Sequence, residues 1–267
     1  MAIKQKVARA VHPNRGTQTR YRLRMLKLIA EMAGSVEYWV KAQWKETPPL
    51  MAEDALPVTE MQKELRGLSE QWKRRFDETA PKVAESFLRN QFKGTDNAMR
   101  QALREAGWVI EFKLTPAMRE AFEASLAENV GLIRSIPEQY LREVEGIVMR
   151  NYTQGRNLKA MAAEIRARYK IAVHRATFIA RDQSNKANSV VQRARQKELQ
   201  ITEAIWLHSH AGVTPRPTHV AMDGKRYKID KGMWDSAVKK FIFPGELINC
   251  GCLSRSVLPW TPADPSS

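Results

Sequence analysis

Apolar side chains recur at steps of three and four along most of this chain, the spacing an amphipathic helix buries along one face. The first stripe runs Tyr21, Met25, Leu28, Met32, Val36 and Trp39, widened by Leu23 and Leu26, and predicts a helix from about Thr17 to Trp44. A helix apolar over so much of its circumference is internal or shared with a partner. Pro48, Pro49 and Pro57 predict a loop, because proline ends helices and pushes the preceding residue toward extended backbone. Helix resumes at Thr59, with Glu60 and Glu64 near its start and Met61, Leu65, Leu68, Trp72 and Phe76 as its stripe; Pro81 is expected to break or kink it. Thr115 followed by Pro116 marks another start, threonine capping free amides and proline losing no bond at the first position. Further helices are expected over 137–153 and 157–169, with Gly155 as the stop and Asn157 as the next cap. The longest, 175–199, carries Ala176, Ile179, Ala180, Ala187, Val190, Val191 and Ala194 on one face. Gln183 falls in the middle of that face. A buried amide must be hydrogen-bonded, so Gln183 is expected to tie this helix to the C-terminal segment, through the Arg216 to His219 loop or the Asn249 turn.

After Ile201 the texture changes. "AIWLHS" (204–209) and "KRYKI" (225–229) read as short strands, separated by Gly212, Pro215, Pro217 and the Asp223-Gly224 turn signal. The expected fold class is therefore α+β and mainly α-helical: an N-terminal helical region, a further helical segment, and a small C-terminal module that contains the strands. The expected organisation is a basic arm over 1–16, a helical region over 17–128, a second domain over 129–260, and a disordered tail over 261–267. Gly224 and Asn249 are read as turn-makers rather than reactive groups.

A chain of 267 residues can bury a proper core and needs no disulfide or metal merely to fold. Lys plus Arg number 44 against 29 Asp plus Glu, a net charge of +15 that favours nucleic acid or an acidic protein surface as partner. Eight of the basic side chains lie in the first thirty residues, before the first acid at Glu31. Arg15, Arg20, Arg22, Arg24 and Lys27 are thus candidate contacts to DNA or to a protein partner, against the plainer reading of a solvated helix face. If a protein is the partner, the Tyr21 to Trp39 stripe is expected to carry the contact. The sequence has no run of about 18 apolar residues and no secretory leader, so a soluble compartment and no membrane partner are expected.

Both cysteines lie in "PGELINCGC" (244–252). A disulfide across one residue closes a strained ring, and two cysteines in such a chain fit a reducing compartment. Zinc takes about four ligands; Cys250, Cys252, His219 and His208 could supply them, with His210 alternating with His208 on one strand face. In an extended strand Cys250 and Cys252 point the same way. If that side faces His219 a metal site is geometrically open; if it faces the long helix the thiols are core. The favoured expectation is buried, reduced, unmetallated thiols and no cofactor, with His219 held by hydrogen bonds near the same turn.

Six pieces stand in order: "NVGLIRSIP" (129–137), "QGRNLKAMAAEI" (154–165), "RATFIARDQSNKANS" (175–189), "AIW" (204–206), "RPTHVAMDGK" (216–225) and "PGELINCGC". Together, over Asn129 to Leu253, they resemble the phage head-morphogenesis, or Mu F-like minor head, proteins. Gln200 departs from that pattern where the family often has glycine, and "HSHAGVTP" replaces an Asp-rich lead-in. The resemblance marks Arg181, Asp182, Gln183, Trp206, Arg216, His219, Gly224, Pro244, Asn249, Cys250 and Cys252 as motif positions of structural importance. It implies a minor structural protein of a tailed phage or prophage, made in the host cytoplasm and kept in the capsid interior near the portal vertex. Its implied partners are the portal protein, capsid or scaffold proteins, and double-stranded DNA bound without sequence preference. The competing reading is a metal-dependent nuclease or toxin-like effector on the same module, with His219, Asp223 and Asn249 as its site. No paired-carboxylate cluster, phosphate-cradling glycine loop or nucleophile elbow supports it, so no enzyme is expected.

Overall fold

The computed structural model describes residues 5–46, 56–154, 158–210 and 214–259. Four long helices come first: α1 (Arg15–Glu46), α2 (Leu56–Glu105), α3 (Pro116–Thr153) and α4 (Leu158–Glu198). The C-terminal module comprises β1 (Glu203–Leu207), α5 (Pro217–Met222), β2 (Arg226–Lys228), β3 (Met233–Asp235), β4 (Lys240–Ile242) and β5 (Leu253–Val257). The fold is α+β and mainly helical. The Pro48 to Pro49 loop, the Gly155 stop, the Asn157 cap, Gly212 and the 261–267 tail lie outside the described residues.

Local chemistry explains where the helices begin. Asn14 Oδ1 accepts the Thr17 amide at 2.9 Å and so starts α1 two residues earlier than the apolar stripe suggests. Thr115 Oγ1 accepts the Met118 amide at 3.2 Å, the cap expected for α3. Two expected breaks do not occur. α2 runs through Pro81 and α3 through Pro137, so of the break or kink expected at Pro81 there is no break, and the separate 137–153 helix is corrected. Each proline removes one backbone bond, but Ala80, Val83 and Ala84 around the first, and Ile136 and Tyr140 around the second, are buried and hold the helix in place. The separate 157–169 and 175–199 helices are likewise one continuous α4.

The chain divides into two compact units, and each long helix contributes to both. The first comprises Met1–Gln18, Phe87–Ser125 and Arg181–Ser267; the second comprises Thr19–Ser86 and Leu126–Ala180. The expected boundaries at 16/17 and 128/129 follow the sequence order of the elements, whereas the packing cuts through the helices.

In the second unit four helical segments share a core in which Met25, Ile29, Met32, Val36, Phe76, Ile133 and Val144 are buried. Tyr21 Oη donates to Asn129 Oδ1 at 2.9 Å inside it. The stripe of α1 steps from Val36 to Val40 rather than to Trp39, which is 47% exposed, and Leu23 is 52% exposed. Both are corrections to the stripe.

In the first unit the described part of the expected basic arm is docked. Val7 bridges to Val257, the Ala8 amide donates to Ser256 O at 2.9 Å, the Leu258 amide donates to Lys6 O at 2.9 Å, and Ala8 and Val11 are buried. The sheet has the order β2-β1-β5, all antiparallel, with Ile205 opposite Arg226 on one side and Arg255 on the other. β3 and β4 form a separate hairpin in which Trp234 lies opposite Phe241. Ala204, Trp206, Met222, Tyr227, Ile229, Ile242 and the two cysteines form the module's core.

α4 meets this unit with a buried seam of polar side chains. Asn188 Nδ2 and Gln192 Nε2 both donate to Val11 O, at 2.9 and 3.0 Å, and Thr95 Oγ1 donates to Asn188 Oδ1 at 3.0 Å. Gln196 Nε2 donates to the hydroxyls of Ser254 and Ser256, both at 2.9 Å. Arg195, only 3% exposed, binds Asp96, Glu198 and the Lys113 carbonyl. Each of these buried side chains thereby has a named partner, as burial requires.

Candidate functional site

Three side chains of the module converge on one point. His219 stands in the last turn of α5, which Pro217 opens at its first position without a side-chain cap. Cys250 and Cys252 lie in the segment leading into β5 rather than in a strand, which corrects the extended-strand reading. Both nevertheless face the same way, toward His219. Cys250 Sγ is 3.4 Å and Cys252 Sγ 3.6 Å from His219 Nδ1. The ligand atoms of all three lie within 4.8 Å of one another, and all three residues are buried.

The other face of the imidazole meets a carboxylate that sequence reasoning missed. His219 Nε2 is 3.3 Å from Asp235 Oδ2, though without the alignment of a hydrogen bond. Asp235, on β3, is fully buried. Thr218 Oγ1 donates to its Oδ2 at 3.1 Å and the Ala237 amide to its Oδ1 at 2.8 Å, so the carboxylate is fixed in place. Trp206, also fully buried, meets the imidazole edge-on with ring centroids 5.3 Å apart.

The two thiols perturb each other in opposite directions. A hydrogen bond from the Cys252 side chain holds the Cys250 thiol well below its ordinary range, assisted by His219 and by the amides of Cys252 and Gly245 and opposed by burial. The same contact, reinforced by burial, pushes the Cys252 thiol up. Both cysteines are free.

The turns that carry these groups are set by the expected residues. Gly224 has φ +72° and Asn249 φ +59°, left-handed positions suited to glycine and tolerated by asparagine. Asp182 accepts the Asn249 amide, and Gln183 is buried with its Nε2 donating to Asp182 Oδ2 at 3.3 Å. Asp182, next to Gln183, thus bonds α4 to the Asn249 turn. Arg216 Nη2 donates to Ile248 O at 2.9 Å, and the Pro244 carbonyl accepts the Ser189 hydroxyl. Arg181 is exposed.

His208 is not part of the cluster. β1 ends at Leu207, and His208 turns to its neighbours: its amide donates to Asp223 Oδ1 at 2.8 Å and its Nδ1 accepts the His210 amide at 3.2 Å. His210 Nε2 lies 3.2 Å from Asp223 Oδ2. The His208 amide bond is the main reason the Asp223 carboxyl sits below its usual range. Of the His219, Asp223 and Asn249 grouping of the nuclease reading, Asp223 is engaged by His208 and His210 while Asn249 turns the backbone.

The elements define a helical chain that closes on a small antiparallel module with a buried sulfur and imidazole cluster. Residues 142–255, which include that cluster, match the model of the family described as Phage Mu protein F like protein. That match supports a Mu F-like phage head morphogenesis family for this segment. An uncharacterized protein of Haemophilus influenzae strain Rd is 35% identical over 144 residues, which are 54% of this chain and 31% of the relative. The chain thus spans under a third of that relative's length. No solved structure matches the chain. Among the described residues no helix is long and apolar enough to cross a membrane.

Proposed function

We propose that this chain is a non-enzymatic minor head protein of a tailed phage or prophage, associated with the portal and capsid interior during assembly and touching packaged DNA without sequence preference. The observation that carries this reading is the family match over 142–255, the segment that spans the end of α3, all of α4 and nearly all of the module. Charge supports the DNA contact: the chain carries +15, and Arg15, Arg20, Arg24 and Lys27 are exposed along α1 while Arg22 is half-buried.

The apolar stripe is a poor candidate for docking. Tyr21, Met25, Met32 and Val36 are at most 2% exposed, so the exposed Leu23, Tyr38 and Trp39 are what α1 offers a protein partner. Deleting α1 would remove core, and point variants are the cleaner probe. A variant with Arg15, Arg20, Arg24 and Lys27 changed to glutamine is expected to keep its fold and its incorporation into procapsids, while losing DNA affinity and part of its salt dependence. Loss of incorporation in a Leu23→Ser, Tyr38→Ser, Trp39→Ser variant is the expected sign of the protein contact. Full-length protein that neither enters procapsids nor co-purifies with portal would refute the reading.

A further inference from the structure

We propose that His219, Cys250 and Cys252 hold one soft divalent cation, zinc by preference, with Asp235 orienting the imidazole from behind. The distances are those of ligands around a shared ion. Zinc bound at about 2.3 Å to sulfur and about 2.0 Å to nitrogen in a tetrahedron sets the two donor atoms about 3.6 Å apart; the observed separations are 3.4 and 3.6 Å. Both sulfurs approach the same nitrogen. Hydrogen bonds within the trio hold the three atoms together without a metal, and the same spacing is the one a shared cation requires.

The surroundings agree. Ligating histidines give their second N–H to a carboxylate or carbonyl, which fixes tautomer and ring plane. Here a fully buried aspartate stands 3.3 Å from Nε2, close but not yet aligned as an acceptor, and is itself held through both oxygens by Thr218 and Ala237. Two sulfurs and a nitrogen are a donor set for zinc rather than for magnesium or calcium, which take oxygen. Three protein ligands leave the fourth position to water.

The same residues could be taken for a thiol, imidazole and carboxylate triad. Burial argues against it. Cys250 is 3% exposed, His219 2% and Asp235 0%, so a substrate cannot reach the sulfur, whereas reactive cysteines are partly exposed. A triad would also leave the second sulfur without a role. The ion instead joins α5 to the segment before β5, with β3 behind the histidine. That is a staple for a module whose own core is small.

The test uses full-length protein expressed in zinc-supplemented medium and purified without chelator. Elemental analysis is expected to give about one zinc per chain, and cobalt added to the apoprotein is expected to give tetrahedral visible bands with thiolate-to-cobalt charge transfer. A Cys250→Ser, Cys252→Ser variant is expected to bind neither metal. Should that variant fail to fold, Asp235→Asn is the second probe: it keeps every ligand and is expected to weaken zinc 10- to 100-fold in competition with a chromophoric chelator. Folded wild-type protein that takes up no zinc or cobalt from excess would overturn the proposal. So would metal content unchanged in the double serine variant, or fast alkylation of Cys250 in the native protein, which marks a reactive thiol instead.

Discussion

Replacing Arg195 by methionine keeps the unbranched stem of the side chain and removes its guanidinium, which makes it a direct probe of the polar seam on α4. The guanidinium binds Asp96 bidentately, through Nε at 2.9 Å and Nη2 at 2.7 Å. Its Nη1 donates to Glu198 Oε2 at 2.6 Å and to Lys113 O at 2.7 Å, and the group stacks over Phe112 at 4.5 Å from the ring centroid. Removing one partner of a buried pair costs about 3–5 kcal/mol when the other charge is left dry. Asp96 and Glu198 keep side-chain exposures of 19% and 26%, so water recovers part of that cost. The bared Lys113 carbonyl adds about 1 kcal/mol. The expected loss is therefore about 2–4 kcal/mol, a large share of the about 5–15 kcal/mol typical of a folded protein. Urea unfolding followed by circular dichroism and tryptophan fluorescence measures it, compared through midpoints at a common slope. Arg195→Lys keeps the charge but loses the fork and is expected to fall between. A cycle with Asp96→Asn isolates the pair, with an expected coupling of about 1–3 kcal/mol. A loss under about 1 kcal/mol, with no coupling to Asp96, would refute the view that this seam holds α4 to its unit.

Gly232 has φ +81°, and a Cβ built there falls 2.6 Å from the Ile242 carbonyl oxygen, so Gly232→Ala is expected to cost more than the about 1 kcal/mol of left-handed strain alone. A melting temperature within a degree of wild type would count against it. Gly224, by contrast, has φ +72° with open space around it, so Gly224→Val is expected to lower stability and soluble yield through backbone strain without a clash. The folded Asp223 carboxyl is depressed, so its contribution is present above the unfolded value of about 3.9 and is lost as pH falls through the lower folded value. The stability gap between wild type and Asp223→Asn is accordingly expected to be full at pH 7 and to shrink below about pH 4, and a gap constant with pH would contradict the assignment.

The helices were legible because their signal is periodic and local. Tyr21, Met25, Leu28, Met32 and Val36 name a buried face by spacing alone, and Thr115 names a start by its hydroxyl. What spacing could not give was continuity. Whether Pro81 or Pro137 ends a helix depends on the packing either side, and a missing bond worth about 3 kcal/mol loses to several buried neighbours. The N-terminal residues misled for a related reason. Lys4, Lys6 and Arg9 gave them the look of a solvated arm, while Ala8 and Val11, too few to register as a pattern, are buried within the first unit. The seam of Asn188, Gln192, Arg195 and Gln196 was hidden because buried polar side chains read as surface until their partners, distant in sequence, are known.

The cluster divides along the same line. Cys250 and Cys252 announce themselves by spacing, and His219 by its place in "RPTHVAMDGK", so the donor atoms could be named in advance. Their convergence could not, because it depends on α5 and the pre-β5 segment meeting across 31 residues of chain. His208 shows the converse error: its alternation with His210 promised a shared strand face, but β1 stops at Leu207, and the backbone beyond it, with His210 at φ +48°, turns both residues toward Asp223. Asp235 had no signal at all. It sits in a three-residue strand, "MWD", and acquires meaning only because the β3 and β4 hairpin folds it in behind His219, where Thr218 from the same helix holds its carboxylate. A ligand is visible as a residue type, whereas the group that orients it is visible only as a position. The buried aspartate is therefore the most informative residue to change, since Asp235→Asn leaves every donor atom in place and tests the arrangement alone.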